Sequence, residues 1–238
     1  MFPLKDDNPT KTKPIITIGI IIFCITIFLY QFSLIDTKNF EIINNFGMKP
    51  KDLLSSNSIP IYFTLFSSMF LHGGFMHLIG NMLFLWIYGN NIEDAMGHYK
   101  FLFFYIICGL AAAFLQAFVT PNSNIPMIGA SGAVSGVLSA YLLLYPRARV
   151  HTLIFVFFFI TVIRIPAGIL IIIWLVIQIF NASLVDPNSP GVAWFAHIGG
   201  FVMGILLVPF FKKKDIRFFA SGNKNYQNNK NIKLRFRK

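Results

Sequence analysis

The most conspicuous pattern along the chain is a succession of apolar runs broken by short polar intervals. Several runs are long enough to cross a hydrocarbon core of about 30 Å. They predict six spans, at residues 14–35, 69–88, 101–120, 131–145, 167–181 and 192–211. A long first loop, 36–60, contains Lys, Asp and Asn and is expected outside the bilayer with short interfacial helices. The stretch 150–163 is strongly apolar but only about 14 residues long. It is bounded by His151 and by Arg164-Ile165-Pro166. A run of that length is more often re-entrant or interfacial than spanning, and the pattern alone leaves the three open. The expected architecture is an all-α membrane protein, a six-transmembrane-helix bundle over 14–211. An N-terminal segment, 1–13, precedes it and a basic tail, 212–238, follows, the tail expected to be disordered.

Composition agrees with a membrane protein. The chain is 55% hydrophobic and 12% charged, too little charge to cover a soluble domain of this length. The net charge of +11 raises the question of nucleic acid, but ten of the twenty Lys and Arg residues lie from Lys212 onward, with Asp215 the one acid among them. A nearly balanced body with one basic tail is the mark of a cytoplasmic end beside anionic lipid, so no nucleic-acid partner is expected. With a cytoplasmic N-terminus and six spans, the regions of Lys100, Arg147, Arg149, Arg164 and the tail all fall inside. The first loop, with Lys38, Lys49 and Lys51, is the one mismatch. A six-span core suits a bacterial plasma (inner) membrane with both termini cytoplasmic. The first apolar run is too long for a signal peptide's core and no small-x-small site follows it, so no cleaved signal is expected. Cys24 and Cys108 lie inside apolar runs without a spacing motif and read as small hydrophobes.

The predicted spans contain no Asp, Glu, Lys or Arg. Polar groups within such segments are functional candidates because each is costly in hydrocarbon without a partner. They gather in the run from Leu71 to Asn81, in Gly129-Ala130-Ser131-Gly132, and in Ala196-His197-Ile198-Gly199-Gly200. Six-span parity puts His77, Asn81, Ser131 and His197 in the same half of the bilayer. Ser131 opens a helix at a Gly-rich turn, where free N–H groups can hold an oxyanion. A serine needs a base within about 2.6–3.2 Å, and His197 is the histidine set deep in another span. His77 and Asn81 are four apart, on one helix face, and both can donate to a developing negative charge. Singly, each has an ordinary structural explanation: a back-bonded serine, a His–Asn pair as interhelical glue, a satisfied core histidine. Their joint depth and the glycines around them favour chemistry. Small residues at four-residue spacing, Gly132, Gly136, Ala140 and Ala196, Gly200, Gly204, predict two closely approaching helices.

The ordered set His72…His77…Asn81, Gly129-Ala130-Ser131-Gly132 and Ala196-His197-x-x-Gly200-x-x-x-Gly204 resembles the rhomboid intramembrane serine proteases over roughly residues 59–211. The resemblance implies a rhomboid-like bundle and a Ser–His dyad, without an acid, that cleaves a transmembrane helix near its outer end. It implies Ser131 as nucleophile, His197 as base, and His77 and Asn81 as oxyanion donors beside the Ser131 amide. It also implies His72 as a structural histidine of the first loop, and Gly89, Glu93 and Gly97 in a cytoplasmic turn after the second span. Many rhomboids carry Trp-Arg in the first loop, where Pro60-Ile61-Tyr62-Phe63-Thr64 stands here, and some a Tyr one turn after the nucleophile, where Ser135 stands here.

A metalloprotease would need His-Glu-x-x-His, which the His72–His77 spacing does not give. An aspartyl intramembrane protease needs acids within spans. Glu93 and Asp94 are expected in a loop with solvated or capping roles. A transporter or non-catalytic membrane-protein binder using the same polar cavity is the alternative, although no inverted repeat supports a transporter. The expected reaction is acyl transfer on single-span membrane proteins within the lipid bilayer, with no metal and no organic cofactor.

Overall fold

The computed structural model describes residues 2–55, 59–156, 159–186 and 189–220. It begins with a short strand, β1 (Phe2–Asp6), and the apolar helix α1 (Ile15–Ser33). The first loop folds into three short helices, α2 (Asp36–Phe46), α3 (Pro50–Ser55) and α4 (Ile59–Ser67). A break at 71–74 turns the chain by 82° into α5 (Phe75–Phe84), so the second expected span begins at Phe75 and not at 69. A π-helical turn, Leu85–Gly89, carries that helix into α6 (Asn90–Met96). Then follow α7 (His98–Val119), α8 (Ser131–Leu144), strands β2 (Arg149–Val156) and β3 (Phe159–Pro166), α9 (Ala167–Leu184) and α10 (Trp194–Phe211).

Among the described residues four helices, α1, α7, α9 and α10, are long and apolar enough to cross a membrane, and the bent α4–α5 pair makes up to five. The apolar α8 has only 14 residues, about 21 Å, against 22 residues, about 33 Å, for α7. A helical membrane bundle is therefore what the chain builds.

It is not all-α. β2 and β3, which carry most of the stretch 150–163, pair antiparallel, and β1 pairs with β2, Phe2 opposite Leu153 and Asp6 opposite Val150. Val150, Thr152, Ile154, Ile160, Thr161, Val162 and Ile163 are β-branched, which disfavours helix and suits a pleated surface. Pairing with β1 satisfies the outer backbone of β2, which no local pattern could reveal.

The bundle centre is formed by α7, α8 and α10, with α1 and α9 at the rim. The two small-residue stripes face each other. A Cβ at Gly200 would overlap the Gly132 carbonyl oxygen and lie 2.8 Å from its carbon, and one at Gly204 would meet Gly136 O at 2.6 Å. Backbone therefore touches backbone where α8 crosses α10. Cys108 lies on α7 against Gly136, and both cysteines are buried and free.

The end of the bundle opposite Ser131 is knotted by acids. Glu93 lies in helix α6, not in a loop, and is fully buried. Its carboxylate accepts from the Ile16 and Thr17 N–H groups (2.9 and 2.8 Å), the Thr17 hydroxyl (2.7 Å) and His98 Nδ1 (2.6 Å). It thus caps α1 from a distant helix, where the positive end of the dipole favours a carboxylate. Asp94 holds the approach to that helix, accepting from the Lys11 and Thr12 N–H groups and the Thr12 hydroxyl. Of the basic tail, residues 212–220 return to this end, with Lys213 N–H on Ala95 O (2.8 Å) and Ala220 N–H on Leu144 O (2.9 Å). Residues 221–238, for which disorder is expected, lie outside the described residues.

Asp6 docks β1 by accepting from Tyr141 Oη (2.6 Å) and Asn91 Nδ2 (2.8 Å). Burial pushes its carboxyl up from 3.8 to about 6, with Asp7 adding to the rise, against the pull of the Tyr141 hydroxyl and two backbone N–H groups. The folded state then holds a proton more tightly than the unfolded chain does. Docking of β1 is favoured below about pH 4 and weakens as pH rises through about 6. Amide exchange in β1, followed from pH 4 to 8, should accelerate accordingly after correction for intrinsic exchange, and Asp6→Asn should flatten the profile. A second expectation concerns the helix crossing. Gly200→Ala should lower stability by about 1–3 kcal/mol in detergent unfolding, while Ile205→Ala on the exposed side of α10 serves as the mild reference.

Candidate active site

Ser131 is the first residue of α8, and its backbone N–H belongs to the helix turn whose donors have no partner within the helix. The loop ahead of it is held by the first loop. Met48 and Met127 exchange both backbone bonds (3.1 and 2.8 Å), Lys51 N–H reaches Ser123 O (3.1 Å), and Gly129 N–H reaches Ser68 O (2.8 Å). Met48 is fully buried against Leu53, Leu65, Ala113 and Ala117. This bridge anchors the first loop where the resemblance leads one to look for Trp-Arg; Thr64 of that stretch bonds locally, to Ile61 O.

His197 lies in the first turn of α10, and its Nε2 is 2.8 Å from Ser131 Oγ. The α8–α10 crossing one turn below, at Gly132 and Gly200, sets this separation. On its other side His197 Nδ1 is 2.8 Å from Gln178 Oε1 on α9, and Gln178 Nε2 donates to Trp174 O at 2.9 Å. The imidazole packs on Trp174 (5.8 Å, 37°) and meets Trp194 edge-on (6.0 Å, 90°). At the position where some rhomboids have a stacking Tyr, Ser135 back-bonds to Ser131 O at 2.6 Å, and the aromatic support of His197 comes from α9 and α10 instead.

His77 and Asn81 share a face of α5, and both line a cavity of about 670 Å³ with Ser131, His197, Gly129 and Trp174. Asn81 Nδ2 donates to His77 O at 3.0 Å. The Gly73 N–H points at His77 Nδ1 (3.4 Å), which assigns the ring proton to Nε2. That Nε2 abuts Gly129, which has φ +118°; a Cβ there would lie 2.6 Å from Nε2. His72 sits outside the cavity, buried, with its ring against His77 (5.1 Å) and Nδ1 on Phe70 O (3.2 Å). Gln31 of α1 clamps its backbone at both ends, accepting from His72 N–H (3.1 Å) and donating to His72 O (3.3 Å). Ser131, His197, His77, Asn81, Gly129 and Gly132 thus surround one cavity, with His72 behind them and Gly200 and Gly204 in the helix crossing.

Sequence reasoning missed the glutamines. Gln31, Gln116 and Gln178 are each buried in an apolar helix, and each holds a different part of the site. Gln31 holds His72, Gln116 Oε1 accepts from the Ala196 N–H (3.3 Å), and Gln178 meets His197. An amide in an apolar run is the signal that could have found them.

A family model described as the rhomboid domain matches residues 61–214. The chain belongs to the rhomboid family. It is 29% identical over 158 residues to the mitochondrial rhomboid protein 1 of Saccharomyces cerevisiae, covering 65% of this chain and 43% of that protein. It is 34% identical over 143 residues to RHOMBOID-like protein 4 of Arabidopsis thaliana (60% and 32%). With the rhomboid protease GluP of Bacillus subtilis the figures are 31% over 138 residues (58% and 25%). The match spans less than half the length of each of these relatives. The family and the apolar helices together make this rhomboid an integral membrane protein.

Gly129→Ala would place a methyl group against His77 in a backbone conformation that alanine disfavours. This variant should stay folded, because the strain is confined to the loop, yet displace His77 from the cavity. Histidine ¹⁵N and ¹H shifts in detergent should move for His77 and stay put for His98.

Proposed function

We propose that this rhomboid is an intramembrane serine endopeptidase that cleaves single-span membrane proteins. The observation that carries the reading is the 2.8 Å contact between Ser131 Oγ and His197 Nε2 at a helix start facing a cavity. His197 takes the hydroxyl proton as Oγ attacks the peptide carbonyl, then passes it to the leaving amine. The Ser131 N–H, the His77 Nε2–H and the Asn81 amide hold the oxyanion. Water entering the cavity hydrolyses the acyl-enzyme, with His197 again as base. No step in this scheme calls for a metal or an organic cofactor.

The full reading has six crossings, with the bent second span and the short α8 included, and both ends of the chain on the cytoplasmic side of a bacterial plasma membrane. The return of residues 212–220 to the end that carries β1 supports an even number of crossings. The relative named as a protease supports the activity.

The test uses purified protein in detergent with a generic single-span substrate. Ser131→Ala should abolish cleavage with little change in unfolding temperature, and His197→Ala should abolish it with some loss of stability, since it leaves the Gln178 Oε1 unpaired and a gap between Trp174 and Trp194. His77→Ala and Asn81→Ala should each lower kcat by about 10²–10³-fold. Equal cleavage by wild type and Ser131→Ala would overturn the assignment of Ser131 as the nucleophile.

A further inference from the structure

We infer that Gln178 is a positioning residue that completes the Ser131–His197 pair, standing where an acid stands in a catalytic triad; this rests on the endopeptidase reading above.

A base in this role must present a lone pair on Nε2 to the serine, so its single proton must reside on Nδ1. An imidazole with no partner at Nδ1 has no reason to prefer that tautomer. Ser131 Oγ would accept from an Nε2–H as readily as it would donate to an Nε2 lone pair. Gln178 breaks this symmetry. Its Oε1, an acceptor, lies 2.8 Å from His197 Nδ1. Which end of the amide faces the ring follows from its other bond, since only Nε2 can donate to the Trp174 carbonyl at 2.9 Å. The Trp174 carbonyl thus fixes the amide, the amide fixes the tautomer, and the tautomer aims the lone pair at Ser131. Trp174, four residues earlier on the same helix, also lies on the imidazole face, so one stretch of α9 sets both the plane and the proton of His197.

The surroundings give the contact weight. Gln178, 4% exposed, faces inward from α9 to His197, 8% exposed, while its neighbours Ile177 and Ile179 face outward. A neutral amide supplies the acceptor without the desolvation cost of a buried carboxylate. A residue there only for packing would be as well served by leucine, which an apolar membrane helix accepts readily.

Gln178→Leu and Gln178→Glu separate the two roles. Glutamate keeps an acceptor toward Nδ1 whether or not it carries a proton. In Gln178→Leu, kcat should fall about tenfold or more with KM nearly unchanged, and the ¹⁵N shifts of the His197 ring should move from the Nδ1–H tautomer toward a mixture. Gln178→Glu should restore kcat to within a few-fold of wild type. Wild-type kcat in Gln178→Leu, or an unchanged Nδ1–H signature there, would overturn the inference. So would an equal loss in both variants when their unfolding temperatures match wild type. Where a variant unfolds early, the tautomer signal is read below its transition and decides alone. Ser131→Ala run alongside keeps the two readings apart: residual cleavage in it would overturn the endopeptidase assignment, while the ring tautomer would still report on Gln178.

Discussion

Everything at the site depends on two backbones touching. Where α8 crosses α10, the Gly132 carbonyl fills the space a side chain at Gly200 would need. Larger residues at that crossing would force the helices apart, and Ser131 and His197, each at the start of its own helix, would be drawn apart with them. Ordinary hydrophobic matching cannot enforce so close a contact inside lipid, because lipid tails are as apolar as leucine. Shape does it instead: small residues at four-residue intervals, repeated on both helices and continued to Gly204 over Gly136 and Ser139.

Around that contact the chain distributes neutral amides. Gln31, Gln116 and Gln178 come from α1, α7 and α9, and each meets a backbone or ring group near the cavity. In an apolar surrounding such bonds are hard to trade for water, so the groups they hold are held in one arrangement. At the other end of the bundle Glu93 and Asp94 hold the start of the first helix and its approach.

The positions of Ser131, His197, His77 and Asn81 were legible because hydroxyls and imidazoles are conspicuous in apolar runs, and glycines beside them announced close packing. Gln178 was not, since an amide at the far side of a histidine carries no motif of its own. Glu93 looked like a loop acid because an acid after an apolar run ordinarily reaches water; here it is buried by a helix start that lies 76 residues earlier in the chain. The strand pairing was illegible for a similar reason. Length and hydropathy weigh a run by itself, whereas β2 depends on a five-residue strand at the far end of the chain. What the sequence displayed was chemistry and local periodicity; what it concealed was pairing across distance.

That distance also imposes a timetable. Phe2 pairs with Leu153, so on a ribosome adding about 5–20 residues per second the first strand waits roughly 7–30 seconds for its neighbour to exist. The N–H groups at the start of α1 likewise stay uncapped until Glu93 has been made. A segment made early is therefore among the last to be secured, and for that interval its strand edge stays unpaired.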